Sequence, residues 1–281
     1  MSYRIKFINK IFWFIIFLWT ILILTSIIMT VLKNYNYADT AALLEAKTSL
    51  KKDLAYRKWN ASHGGIYVPI TKKTPPSPYL KHIPHQNITT TYGAQLTLMN
   101  PAYMLSQVMQ EYGKIYGIKG HITSKVLLNP ANKPDEWEVN ALNIMTQTRK
   151  PIHEKTMIDK EMHYRYIQPL ITQKSCLKCH AFQGYKIGDI RGGVSVSIPM
   201  KSYYDSSLEQ STITFAFALL IWVFGASLII FGRKKAKEIL YEKIKSYEQN
   251  IYSLITMIEK RDRFTAGHAQ RVAHYATLIA K

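Results

Sequence analysis

The two cysteines of this 281-residue chain fall together in residues 174–182, KSCLKCHAF, two residues apart, and a histidine follows the second at once. Four chemistries use such a pattern. A C-x-x-C pair can be half of a zinc site, a redox dithiol or a short disulfide, and C-x-x-C-H is the attachment signature of a c-type haem. A structural zinc site needs four ligands, usually from two such knuckles, and the sequence holds no second cysteine pair. A dithiol of the thioredoxin kind wants its cysteines at a helix N-terminus in a βαβ setting. A disulfide across two residues closes too short a loop to constrain the unfolded chain much. In the haem reading, Cys176 and Cys179 lie one helical turn apart and reach the two vinyl groups on one porphyrin edge. His180 then brings its imidazole under the iron as proximal ligand. The choice depends on the compartment.

Two stretches speak to that. Residues 11–32 (IFWFIIFLWTILILTSIIMTVL) and 212–232 (TITFAFALLIWVFGASLIIFG) carry no charge and are long enough for a hydrocarbon core, which takes roughly 20 residues of helix. The first is too long for a signal-peptide apolar region and has no A-x-A-like cleavage site after it, so it is expected to remain as a span. Arg4, Lys6 and Lys10 precede the first stretch, and Arg233, Lys234, Lys235 and Lys237 follow the second. By the positive-inside rule residues 1–10 and the segment after 232 are cytoplasmic, and residues 33–211 lie outside, in the periplasm of a bacterial inner membrane. Haem c is attached on that side, so topology and motif agree. One covalent haem c is expected, with its iron held by His180. The net charge of +19 would fit nucleic acid or an anionic surface. A Lys- and Ile-rich composition accounts for it equally well, and the partner expected is the lipid bilayer, with no nucleic acid.

The elements around the motif form a mixed α/β domain. Residues 35–60 continue the first span as helix, with Ala42, Leu43, Ala46, Leu50 and Leu54 at helical spacing. A loop rich in Pro and Lys follows (71–84). Residues 137–148 begin after a Pro134-Asp135 turn signal and predict a second helix. Residues 163–171 and 191–199 flank the motif; in the latter Val194, Val196 and Ile198 alternate with Ser195 and Ser197, the pattern of a half-buried strand. The expected class is α+β, an antiparallel sheet with a long N-terminal helix, set between two transmembrane helices.

The segments WNASHGGIYVP (59–69), LMNPAYMLSQV (98–108), LLNPANKPDEWE (127–138), the C-x-x-C-H itself and GDIRGGVSVSIPM (188–200) resemble the PAS-like, haem-c-binding sensor domains found outside the membrane in bacterial chemoreceptors, histidine kinases and cyclic-di-GMP enzymes. The resemblance implies a PAS-like fold and a periplasmic sensor of redox state or a small ligand, often dimeric, with Cys176, Cys179 and His180 holding the haem. A methionine as sixth ligand would raise the haem potential, whereas an open position would admit a gas. Met99, Met104 and Met109 are candidates in one matching segment, with Met104 preferred because it is not next to a turn. His63, His121 and His163 are alternatives. Arg165 is a candidate partner for a haem propionate, and Tyr164 and Tyr166 are candidate haem walls; a solvated charge and core aromatics are the plainer readings.

Past Gly232 the chain becomes a charged helix. Leu240, Ile244, Tyr247, Ile251, Leu254 and Ile258 recur at intervals of 4, 3, 4, 3 and 4, the a/d seam of a parallel coiled coil over residues 233–258. Residues 259–281 then resemble the opening of an HD-GYP domain, through Glu259, Asp262, Thr265, Gly267, His268, Arg271 and Val272. The resemblance implies that His268 is the first ligand of a divalent metal site that hydrolyses cyclic-di-GMP, a site whose remaining His and Asp ligands are not in the sequence. No phosphodiesterase activity is therefore expected of these 281 residues alone, and a fragment or truncated product is the reading of the chain's end. The leading function is a homodimeric membrane receptor carrying a haem signal inward to a cyclic-di-GMP output. The alternative is a membrane-anchored monohaem c-type cytochrome for electron transfer.

Overall fold

In the computed structural model, which describes residues 2–261 and 267–280, the chain opens with a helix of 61 residues, α1 (Ser2–Ser62). It returns to a helix of equal length in α5 (Lys201–Arg261). Each contains a stretch long and apolar enough to cross a membrane. The described residues divide into two units, one of residues 1–30 with 212–281 and the other of residues 31–211.

In the first unit the two apolar stretches pack through tryptophan. Trp222 Nε1 donates to Thr20 Oγ1 (3.0 Å) and Trp19 Nε1 to the Trp222 carbonyl (3.4 Å). Trp19 can lie that close because position 225 is glycine: a Cβ there would come within 2.5 Å of the indole. Small residues at a helix crossing allow this approach where no hydrophobic force drives association between helices. Arg233 Nε donates to Asn9 Oδ1 (3.1 Å). The short helix α6 (His268–Ile279) also belongs to this unit.

In the second unit, strands β4 (Lys119–Thr123), β5 (Ile152–Ile158), β6 (Glu161–Ile171) and β7 (Ile190–Pro199) make an antiparallel sheet in the order β4-β7-β6-β5. A smaller antiparallel sheet holds β1 (Ile66–Pro69), β3 (Gln95–Met99) and β2 (Asn87–Thr89) in that order. One face of the larger sheet carries Tyr166, Leu170, Val194, Val196 and Ile198, which pack with Ala46 and Leu50 of α1 and with Leu105 and Met109 of α2 (Pro101–Tyr116). The helical spacing in residues 35–60 therefore marks a core face, and its alanines bring α1 close to its neighbours. The other face is covered by α3 (Glu136–Thr148), whose Ala141, Leu142 and Met145 meet Ile167.

That second layer changes one expectation. The alternating β7 strand is buried on both faces, not one: Ser195 and Ser197 are as enclosed as the valines, because β7 is a central strand with helices above and below. The polar side is made tolerable by α3. Asp135 caps the helix by accepting from Glu138 N (2.8 Å), and the Glu138 carboxylate accepts from Asp135 N (3.2 Å), a reciprocal capping box. Glu138, 1% exposed, also accepts from Ser195 Oγ (2.5 Å) and meets His121 Nδ1 at 2.9 Å. Buried charge is retained only when it is paired and hydrogen-bonded in this way.

The Glu138 hydrogen bond holds the His121 imidazole above its usual range, against the opposing effect of burial. A folded-state value above the unfolded one stabilises the fold fully below about pH 6.5, and the contribution disappears as pH rises through the raised value. We expect His121→Gln to lower the melting temperature more at pH 6 than at pH 9, by on the order of 3 °C for roughly 1 kcal/mol of difference. Thermal unfolding followed by circular dichroism at the two pH values checks this.

Candidate functional site

The connection from β6 to β7 carries KSCLKCHAF. Its base is closed by two backbone bonds, Thr172 N to the Asp189 carbonyl (2.8 Å) and Gly188 N to the Thr172 carbonyl (2.9 Å). Within it, a 3₁₀ turn (Lys174–Cys176) runs into α4 (Leu177–His180) and a second 3₁₀ turn (Ala181–Gln183), which ends at Gly184 in the left-handed region (φ 86°). Cys176 N-caps α4 and Cys179 lies in its single turn, so the backbone spaces the pair by one helical turn; Cys176 is partly exposed. The Cys179 side chain lies outside what the structure describes. The flanking strands are antiparallel neighbours, not the βαβ unit that a thioredoxin-like dithiol would want.

His180 is oriented by both of its ring nitrogens. Nδ1 pairs with Gln183 Oε1 (2.5 Å), so Nδ1 carries the hydrogen and Nε2 presents its lone pair. The Arg191 guanidinium, at the start of β7, donates to that Nε2 through Nη1. Burial, and after it the Arg191 charge, push the imidazole down to about 4, with the Gln183 hydrogen bond opposing. The ring is therefore neutral at ordinary pH. A neutral imidazole whose far N–H is held by an oxygen acceptor is the form that ligates a metal. Among the described residues no cluster of three or more His, Cys, Asp or Glu gathers as a separate metal site.

His180 and Arg191 border a cavity of about 640 Å³, in the range that encloses small-molecule and cofactor ligands. Its walls are the polar side of α2, including Tyr103 and Gln107, Ile122 and Thr123 at the end of β4 with Ser124 after them, residues 126–129, and Gly192 of β7. Two of its cations, Lys73 and Lys114, are each 3.2 Å from Glu111. The donor set, the ring orientation and the room beside it all fit a haem.

The other sequence candidates lie elsewhere. Met104 is not among the described residues lining the cavity; its sulfur is 3.3 Å from Asn60 Nδ2. Met99 and Met109 are core residues. His63 pairs with the Trp59 carbonyl (2.8 Å), His121 with Glu138, and His163 with the Glu161 carbonyl (3.0 Å). Arg165 is also away from the lining: it binds Asp135 Oδ2 (2.6 Å) and sits 4.1 Å over the Trp137 ring. The structure thus gives it the task of tying β6 to the start of α3. Tyr166 packs in the core, and Tyr164 OH meets His153 Nδ1 (3.0 Å). For the HD-like segment, Asp262 and Thr265 lie outside the described residues, as do the side chains of Glu259 and His268.

Two residues of the site escaped sequence reasoning. Gln183, three positions after His180, is placed by the second 3₁₀ turn, and a Q at that offset was its only signal. Arg191 was visible within GDIRGGV as a charge on a strand flanking the motif, a signal that Arg165 shares.

The family model described as Tll0287-like matches residues 35–199. A solved structure, the crystal structure of the cyanobacterial heme-protein Tll0287, is similar at 18% identity and a TM-score of 0.38, covering 57% of this chain and 95% of that one. No curated protein matches.

Gly192 gives a direct test of the cavity wall. A Cβ at this position would collide with the Thr123 carbonyl oxygen of the neighbouring strand, which is backbone and cannot swing away. Gly192→Val should cost about 2 kcal/mol and lower the melting temperature by roughly 6 °C. A variant melting with the wild type would show that β4 and β7 are not packed this closely.

Proposed function

The chain belongs to the Tll0287-like family, and from that premise we propose that residues 33–211 are a PAS-like periplasmic sensor carrying one covalent haem c on Cys176 and Cys179, with His180 as proximal ligand. The observation that carries this is the His180 ring, on a C-x-x-C-H turn that borders a cavity, with Nδ1–H held by Gln183 so that Nε2 is the lone-pair nitrogen. When bound, a haem would supply an iron able to change redox state and to bind a small ligand. The chain's own residues do the rest. The two thiols would hold the macrocycle, Gln183 fixes the ring plane and tautomer of His180, and the walls of α2 and β4 would limit access from water.

The proposed receptor spans the membrane twice, at residues 11–32 and 212–232, with both termini cytoplasmic. The basic residues flanking the apolar stretches support that orientation. Signalling is favoured over electron transfer by the chain path. Arg191 and Gly192 border the cavity on β7, β7 ends at Pro199, and α5 begins at Lys201 with Met200 wholly buried between them. A displacement at the cavity wall would thereby be applied to the strand that leads through Met200 into α5. A homodimeric heptad stalk at residues 233–258 would carry it to an HD-GYP phosphodiesterase, of which residues 259–281 form the opening. Such coupling requires that the stalk have two arrangements which the haem state stabilises unequally. An electron carrier needs neither that strand-to-span junction nor the stalk.

In cells with an active c-type maturation system, the full chain should bind haem that survives denaturation, and Cys176→Ala with Cys179→Ala should abolish it. His180→Ala should keep the covalent haem while its spectrum changes, and Met104→Leu should leave the spectrum unchanged. Haem staining after denaturing electrophoresis and optical spectra of the purified membrane protein check these outcomes. Stable haem in the double cysteine variant would overturn the reading.

A further inference from the structure

His180 borders the cavity, and its Nε2, the lone-pair nitrogen that an iron would use, already has a cationic partner in Arg191. The lone pair cannot serve both. Binding of the iron therefore has to dislodge the guanidinium, and the structure restricts where it can go. The Arg191 backbone is pinned on both sides: its carbonyl accepts from Ser124 Oγ (2.6 Å) and from Tyr185 OH (3.2 Å), and it sits at the start of a central strand. The residue is 9% exposed and borders the cavity. With the backbone held, side-chain torsions are what is left to move, and they leave the charge within reach of the cavity that Arg191 borders. A planar guanidinium held there is suited to one kind of partner, a carboxylate taken in two parallel hydrogen bonds. A haem brings two carboxylates of its own.

We propose that Arg191 exchanges the imidazole of His180 for a haem propionate when the haem is attached, and that it thereby sets the reduction potential of the iron. The inference rests on the haem reading above. It assigns to Arg191 the role considered for Arg165, which the structure commits to Asp135 and Trp137. Arg191 is a positioning residue: it holds the nitrogen's lone pair in place before the metal arrives and neutralises a haem charge afterwards. In a site of low effective dielectric a single charge acts strongly on another nearby. An oxidised haem carries one more positive charge than a reduced one. Removing Arg191 leaves the propionate charge unbalanced, which favours the oxidised state and lowers the potential.

The test uses the full chain, matured with haem and purified in detergent, with Arg191→Gln, Arg191→Lys and Arg165→Gln beside the wild type. The readout is the midpoint potential by optical titration. Arg191→Gln should shift the oxidised-to-reduced ratio at a fixed applied potential about tenfold toward oxidised, which is roughly 59 mV for one electron. Arg191→Lys, which keeps the charge, should hold the potential close to the wild-type value, and so should Arg165→Gln, which removes a similarly buried arginine outside the cavity. Haem present with an unchanged potential in Arg191→Gln overturns the inference and leaves the haem reading intact. An equal shift in Arg165→Gln also overturns it, since the effect would then be one of general charge or packing. A wild-type chain without covalent haem overturns the haem reading first and the inference with it.

Discussion

One imidazole, fixed at both nitrogens, organises the site. His180 gives its Nδ1 hydrogen to Gln183 and receives Arg191 at Nε2. The tautomer, the ring plane and the neutrality of the group follow from those two contacts and from burial. Each contact comes from a different side of the β6–β7 connection. Gln183 belongs to the turn just past the motif, and Arg191 to the strand that closes it. The connection must therefore hold its shape for the ring to hold its place, and the backbone pair between Thr172 and the 188–189 segment does that. A ligand histidine is useful only when its second nitrogen is settled; here it is settled within three residues.

The larger sheet turns this local geometry into a mechanical arrangement. β7 is hydrogen-bonded on both edges, to β4 and β6, and covered on both faces. In the proposed receptor such a strand would respond to a push at one end as a unit, because close-packed interiors transmit strain. One end of β7 holds Arg191. The other runs through Met200 into α5. In the proposed receptor that continuity stands in place of a hinge. The polar residues of the strand's second face are accommodated by Glu138, a buried carboxylate that also caps α3 and meets His121. Sheet, helix cap and charge pair thus depend on a single side chain.

Much of this was legible in local pattern. The C-x-x-C-H spacing, the two apolar stretches, the helical spacing of Ala42, Ala46 and Leu50, and the strand at 191–199 are short-range signals, and each element appears near its expected bounds. What was missed depends on contacts between distant segments. The two-sided burial of Ser195 and Ser197 requires α3, which joins the sheet from more than forty residues away. The β5–β6 hairpin turns at Asp159 and Lys160, both in the left-handed region (φ 51° and 68°), without the glycine that usually advertises such a turn. Arg165 and Arg191 both lie on strands in the sheet, and nothing in the sequence says which of them the fold turns toward the cavity. Methionine carries the same ambiguity: its spacing in residues 99–109 suits a ligand or a core, and Met109 lies against Gly120, where a Cβ would meet its side chain.

The central claim is a covalent bond between this chain and a haem, so the most direct measurement is the intact mass of the purified full chain after maturation. The account predicts a gain of one haem mass that persists through denaturation and maps to the peptide holding Cys176 and Cys179. An unmodified mass, or one lower by only the two hydrogens of a disulfide, would contradict it.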